Sequence, residues 1–323
     1  MRGVHHLIVQ SVHLKYEMDI LRNITVIQGN SATGKTTLVD MIREYNMNGT
    51  DTGITISCDV PCRVLEGNSW RESLRGISGC LVFIDEGNRF VASRDFAAEI
   101  QGTDNYYIIV TRESLDNLPY SITEIYGMRS SGKYMGITPV YHQLFRIYSE
   151  KYEVTHYQTV LTEDSNSGFD FFSAIAKADQ KQCISAAGAG NIFTLLSKMD
   201  ADESVLVIAD GAAFGSKMKR IYQLLQERKG ITLYLPESFE WIILASGILN
   251  DGEVRNILQN PSEYIEGKEF ISWERFFTRL LMDKTHDSYL EYTKRTLNPV
   301  YLQGKNLEKI VSLLPFSHSD VWQ

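Results

Sequence analysis

At 323 residues the chain is long for a single core, and two domains are expected. Its apolar share of 43% and charged share of 22% exclude a disordered chain, and no run approaches the ~18 uncharged apolar residues of a membrane helix. A formal net charge of −8 excludes a protein whose whole surface grips nucleic acid.

In chain order, Met1-Arg2-Gly3-Val4-His5-His6 runs directly into a strand pattern at Leu7-Ile8-Val9, with no apolar leader segment, so a cytoplasmic protein is expected. The run Asn23 to Gln28 is short and β-branched, as a buried parallel strand should be. It leads into Gly29-Asn30-Ser31-Ala32-Thr33-Gly34-Lys35-Thr36, which fills every fixed position of the P-loop pattern, and then Thr37. From Thr36 to Tyr45 no Gly or Pro interrupts, and Leu38, Met41, Ile42 and Tyr45 share one helical face. Strand, glycine loop and helix together turn backbone N–H groups and a helix N-terminus toward a phosphate. Lys35 is then expected on the β- and γ-phosphates of ATP, and the Thr36 hydroxyl on Mg²⁺.

Further along, Ile54-Thr55-Ile56 reads as another strand. Cys58 and Cys62 are spaced C-x3-C, while Cys80 and Cys183 stand alone in apolar surroundings. No second close pair of Cys or His is placed for zinc, so buried reduced thiols are expected. The apolar run from Gly79 to Ile84 stops on Asp85-Glu86. Asp85 is expected to help hold Mg²⁺ and Glu86 to orient the attacking water. A third strand, Tyr106 to Val110, ends at Thr111-Arg112, where Arg112 is a candidate γ-phosphate sensor; a surface ion pair with Glu113 or Asp116 is the plain alternative. Arg89 and Arg94 are weaker candidates, and Ile122 to Tyr126 reads as a further strand.

Residues 4–150 resemble compact P-loop ATPases of the ABC/AAA-like kind, on the strength of the P-loop and the Asp85-Glu86 strand. The Leu-Ser-Gly-Gly-Gln signature of ABC proteins is absent, with Ser73 to Gly79 only an echo of it. The resemblance implies a homo-oligomer.

After residue 150 the pattern changes to repeated strand–helix alternation. Thr159 to Thr162 ends at Glu163-Asp164 and precedes a helix carrying Phe169, Phe172, Ile175 and Ala176. Gln182 to Ser185 leads to Ala-Ala-Gly-Ala-Gly-Asn and a helix. Val205 to Ala209 ends at Asp210-Gly211 and precedes a helix with Ile221, Leu224 and Leu225. Ile231 to Leu235 leads to Pro236 and a helix start bearing Glu237 and Glu240 three residues apart. Four alternations make a parallel α/β layer whose acids fall at strand C-termini, where such sheets build their sites. The cluster Lys217-Met218-Lys219-Arg220 reads equally as a basic patch or a solvated helix face. Beyond Glu253, Ile271 to Met282 and Asp287 to Arg295 read as amphipathic helices, with Tyr264, Trp273, Phe276, Phe277 and Tyr301 packing a small cap.

The residues Leu161-Thr162-Glu163, Ala187 to Asn191 and Ile208-Ala209-Asp210-Gly211 give this half its resemblance to the TOPRIM domain of topoisomerases, primases and overcoming-lysogenization-defect nucleases. That likeness implies Mg²⁺ held by Glu163 and Asp210; the second Asp of the family's pair falls on Ala212, and either Glu237 or Glu240 is the candidate replacement, the plain alternative being acids that favour the helix N-terminal dipole. The expected organisation is α/β throughout: a P-loop ATPase domain over 1–150, a TOPRIM-like domain over 151–252 and a helical cap over 253–323. The ATPase–TOPRIM pairing resembles overcoming-lysogenization-defect-type phage-defence or mobile-element proteins, and implies ATP-gated cutting of DNA or RNA. The rival readings are an ATP-dependent scaffold whose metal-free second domain docks a partner effector protein, and, more remotely, a small-molecule kinase.

Overall fold

The computed structural model describes residues 1–29, 33–132, 140–148 and 156–316. The chain forms two compact units, one of Met1–Ser149 with Asn260–Ile271, the other of Glu150–Gln259 with Ser272–Gln323. The expected cap over 253–323 is therefore divided: residues 260–271 belong to the first unit. They are held there by backbone bonds from Gly3 N–H to the Ser262 carbonyl (2.7 Å) and from Gly267 N–H to the Met1 carbonyl (2.8 Å), and by the Asn23 amide on the Ile271 carbonyl (3.1 Å).

The first unit contains strands β1 (His5–Gln10), β2 (Leu14–Ile20) and β3 (Ile24–Ile27), helix α1 (Lys35–Asn48), strands β4 (Thr55–Ser57) and β5 (Cys62–Val64), helix α2 (Trp70–Arg75), strand β6 (Cys80–Ile84), helix α3 (Arg94–Glu99), and strands β7 (Asn105–Val110), β8 (Ile125–Ser130) and β9 (Val140–Arg146). The strands make one mixed sheet in the order β4-β1-β2-β9-β8-β3-β7-β6-β5. Ile122–Glu124, expected within a strand, is a 3-10 turn capped by Ser121, and the strand begins at Ile125.

The two edge strands of this sheet are consecutive in the chain. Laid flat, nine strands at ~4.8 Å spacing separate their edges by about 38 Å, yet Ser57 and Cys62 are five residues apart, a reach of at most about 18 Å. The sheet must curl. Helix α1 lies in its hollow, where Leu38, Val39, Met41 and Ile42 pack with Leu7 and Val9 of β1, Met18 of β2, Cys62 of β5, Phe83 of β6 and Ile108 of β7. The run β6-β7-β3 is parallel and buried on both faces, which explains its continuous apolar sequence.

The second unit contains strand β10 (Thr159–Thr162), helix α4 (Ser167–Ala178), strand β11 (Gln182–Ser185), helix α5 (Ala189–Lys198), strand β12 (Val205–Ile208), helix α6 (Gly215–Glu227), strand β13 (Ile231–Tyr234), and helices α7 (Phe239–Ala245), α8 (Gly252–Gln259), α9 (Trp273–Thr285) and α10 (Gly304–Val311). Its sheet is wholly parallel, in the order β11-β10-β12-β13. β10 has its successor β11 on one side and β12 on the other, so the connections reverse direction beside β10. In open α/β sheets that reversal opens a crevice at the strand C-termini.

One expected helix is absent. Residues 287–295 form turns, because local side-chain bonds displace helical ones: Thr285 Oγ1 accepts from Tyr292 N–H (3.0 Å), Ser288 Oγ donates to the Thr285 carbonyl (2.7 Å), and Asp287 has φ +56°. Among the aromatics expected to build the cap, Trp273, Phe277 and Tyr301 are buried, whereas Tyr264 is exposed and belongs to the first unit.

Candidate functional site

The glycine loop follows β3, whose neighbours are β7 and β8. Gly34 caps α1 in the left-handed conformation (φ +91°), which an L side chain adopts only under strain. Directly after it Lys35 is buried, and its ammonium donates to the Gly29 carbonyl (3.1 Å) and to Thr33 Oγ1 (2.9 Å). Burial and the neighbouring Arg112 charge both lower the pKa of this ammonium. The expected contacts of Asn30, Ser31 and Ala32 lie outside the described residues. Thr37 stands in the first turn of α1.

Across the loop, β7 lies between β3 and β6, so the acids after β6 reach the same sheet edge. The Thr36 hydroxyl donates to Asp85 Oδ1 at 3.4 Å, and burial raises the Asp85 pKa. Hydroxyl and carboxylate oxygens side by side suit Mg²⁺, which takes a few protein oxygens and keeps the rest of its water. Arg112, after β7, pairs through Nε with Glu86 Oε1 at 2.8 Å. That partner is the acid expected to orient water.

Two residues that sequence reading passed over complete this site. Tyr16 on β2 and His142 on β9 stack with ring centroids 4.4 Å apart, and Tyr16 OH donates to the Gly34 carbonyl at 2.9 Å. A Cβ on Gly34 would lie 2.7 Å from His142 Cε1 and 2.9 Å from Tyr16 OH. The alternation Tyr16-Glu17-Met18-Asp19-Ile20 carries the signal for β2; nothing local marks His142. Gly34→Ala is expected to cost about 2 kcal/mol or more, combining left-handed strain with the clash, and to lower nucleotide affinity. Thermal melts of Gly34→Ala and of Gly34→Ala/His142→Ala check this, the double variant recovering part of the loss.

In the second unit, Glu163 follows β10 and Asp210 follows β12, one on each side of the crevice. The Asp210 N–H donates to Glu163 Oε2 at 3.1 Å. Gly211 is required beside them, since a Cβ there would lie 2.4 Å from the Leu235 carbonyl. Glu240, in the first turn of α7, is fully buried; its Oε1 accepts from Tyr292 OH at 2.8 Å, and its Oε2 has no hydrogen-bond partner among the described residues. Ser238 caps that helix by accepting the Trp241 N–H, so the helix starts at Phe239 rather than at Pro236.

The acids converge on a residue that the sequence did not single out. Lys294 Nζ lies 3.1 Å from Glu240 Oε1, 3.3 Å from Glu274 Oε1 and 3.8 Å from Asp210 Oδ2. The turns after α9 deliver it: Ser167 N–H bonds the Lys294 carbonyl (3.1 Å), and Ser167 Oγ bonds the Thr293 carbonyl (2.7 Å). Over the cluster is a cavity of about 20 Å³, room for one water. Lys294 brings a single positive charge to a site lined by Glu163, Asp210, Glu240 and Glu274. Among the described residues no three His, Cys, Asp or Glu are grouped to hold a metal ion. Lys294 therefore stands beside Asp210 and Glu240, two of the three acids expected on Mg²⁺.

Burial pushes Glu163 from 4.5 up to about 7, against the pull of the Asp210 N–H, and burial and Glu274 raise Asp210 well above its ordinary range. Raised carboxyl pKa values contribute stability that is complete below the ordinary value and disappears as pH climbs through the folded one. For Glu163 the window is pH 4.5 to 7 and the loss about 3 kcal/mol. Denaturant midpoints are expected to fall from pH 5 to pH 8, with a shallower fall in Glu163→Gln.

No family model matches the chain, and no curated protein matches it. Among the described residues no helix is long and apolar enough to cross a membrane.

Proposed function

We propose that this protein binds and hydrolyses ATP with Mg²⁺, its first unit a P-loop ATPase of the ABC/AAA-like kind and its second a TOPRIM-like unit under nucleotide control. The observation that carries the reading is the buried Lys35 ammonium, held by Gly29 and Thr33 at the start of α1, with Thr36 and Asp85 hydrogen-bonded beside it. Lys35 binds the β- and γ-phosphates and the first turn of α1 offers them its N–H groups. Thr36 and Asp85 are the groups that would hold Mg²⁺, which neutralises charge across the phosphates when bound. Glu86 orients the attacking water, and Arg112, paired with it, is within reach of the same charge. Glu86→Gln is expected to keep ATP affinity while slowing turnover about 100-fold; equilibrium binding and phosphate release measure the two separately. Turnover unchanged in that variant would remove Glu86 from the mechanism.

For the second unit, Lys294 among the carboxylates favours the scaffold reading: a metal-free TOPRIM-like unit that docks a partner effector protein when ATP is bound. The nuclease reading takes the same acids as a Mg²⁺ site acting on DNA or RNA. Incubating mixed DNA and RNA with Mg²⁺ or Mn²⁺, with and without ATP, separates them. Cleavage that needs the divalent ion and vanishes in Glu163→Gln would overturn the scaffold reading.

A further inference from the structure

The four-residue connection between the edge strands β4 and β5 carries chemistry that nucleotide binding does not use. It opens with Cys58, bends at Asp59-Val60 and returns through Pro61 to Cys62, the first residue of β5. Both cysteines are free. They line one open cavity of about 400 Å³ with Tyr45, Asn46, Asp59 and Arg63. Cys58 is half-buried and open to small solutes, whereas Cys62 is packed into the core under α1.

Asp59 stands over Cys58. The Cys58 Sγ donates to Asp59 Oδ1 at 3.4 Å, and the same carboxylate bonds His5 Nδ1 at 2.9 Å from β1. Burial works against the Asp59 charge, but the His5 contact prevails and holds the carboxyl below its usual range. A carboxylate kept ionised by an imidazole is an acceptor for the thiol proton. The neighbouring Cys62 thiol lowers the Cys58 pKa against burial and the Asp59 carboxylate, which raise it, while Cys58 and burial raise that of Cys62. Cys58 is the more accessible sulfur, and Cys62, four residues on, lines the same cavity. Cys80 differs: burial raises its thiol, which donates to the Ser78 carbonyl at 3.3 Å.

We propose that Cys58 and Cys62 are an oxidisable pair that closes to an intrachain disulfide when the protein meets a hydroperoxide. The Cys58 sulfur attacks the outer peroxide oxygen, the O–O bond breaks, and the remainder leaves as an alcohol or water. The Cys62 sulfur then attacks Cys58, forming the S–S bond as the S–O bond breaks, and the departing hydroxide takes the Cys62 proton as water. Two electrons pass from the two sulfurs to the peroxide, and one disulfide, one alcohol or water and one further water result. The bridge closes across the seam of the curled sheet. There Cys62 is in register with Leu81 of β6, and Leu65 N–H bonds the Phe83 carbonyl, two residues before Asp85.

The test treats the full chain with hydrogen peroxide, alkylates remaining thiols and maps peptides by mass. The expected product lacks two hydrogen atoms, carries a Cys58–Cys62 link and returns to the dithiol with dithiothreitol. Before it closes, Cys58 should react at least about tenfold faster than Cys80. In Cys62→Ser, dimedone should trap a sulfenic acid on Cys58; in Cys58→Ser, Cys62 should stay alkylatable. The proposal is overturned if both thiols of the native chain survive peroxide, or if the link maps to Cys58–Cys80 or joins two chains. Mapping on the native chain decides the matter even where Cys62→Ser fails to fold, and none of it depends on ATP hydrolysis.

Discussion

Lys35→Ala is expected to abolish high-affinity ATP binding and cut turnover about 100- to 1,000-fold, the scale of losing one preorganised electrostatic contact. The buried ammonium donates to the Gly29 carbonyl and to Thr33 Oγ1, so it braces the loop as well as meeting phosphate. Truncation removes both functions. The fold should survive, because α1 keeps Leu38, Val39, Met41 and Ile42 in the core. Titration with a fluorescent ATP analogue, beside circular dichroism, tests this; undiminished binding by a folded variant would sink the nucleotide-site reading. Lys35→Arg should not rescue, since a planar guanidinium does not replace a compact ammonium in a closed loop.

The second large effect is expected at Lys294. Lys294→Met leaves Glu240, Glu274 and Asp210 facing one another without their cation. Removing one partner of a fully buried pair costs about 3–5 kcal/mol, a large part of a domain's stability; with only Glu240 fully buried here, the loss is expected toward the lower end of that range. The loss should be smaller at pH 5 than at pH 8, because Asp210, already raised well above its ordinary range, takes up a proton readily. Adding Glu240→Gln should restore part of it by deleting the most deeply buried charge. Urea unfolding of the single and double variants measures both effects, and a single variant as stable as the native chain would contradict the ion-cluster description.

How far the sequence speaks for the structure depends on how local each feature is. Gly34, Lys35 and Thr36 are adjacent, and their glycine conformations and helix start are set by near neighbours; so is the stop of β6 on Asp85-Glu86. The four strands of the second sheet are legible because each is a short apolar run between turns. Lys294 is not legible in this way. It lies 84 residues after Asp210 (294 − 210) and reaches the acids only because the turns after α9 replace a helix that periodicity favoured. Glu274, in the first turn of α9, looks like an ordinary helix-start acid until Lys294 arrives. Tyr16 and His142 meet above Gly34 through strands far apart in the chain, and no spacing rule connects them.

The curl of the first sheet also bears on how these molecules behave in a crowd. A flat mixed sheet ends in unpaired N–H and C=O rows, which recruit strands from other chains. Here both terminal strands are three residues long, and one short loop ties them together. The six- and seven-residue strands β1, β2 and β9 lie inside the sheet, each with a neighbour on both sides along part of its length. Wrapping the sheet around a helix thus serves a second purpose, resistance to edge-to-edge aggregation.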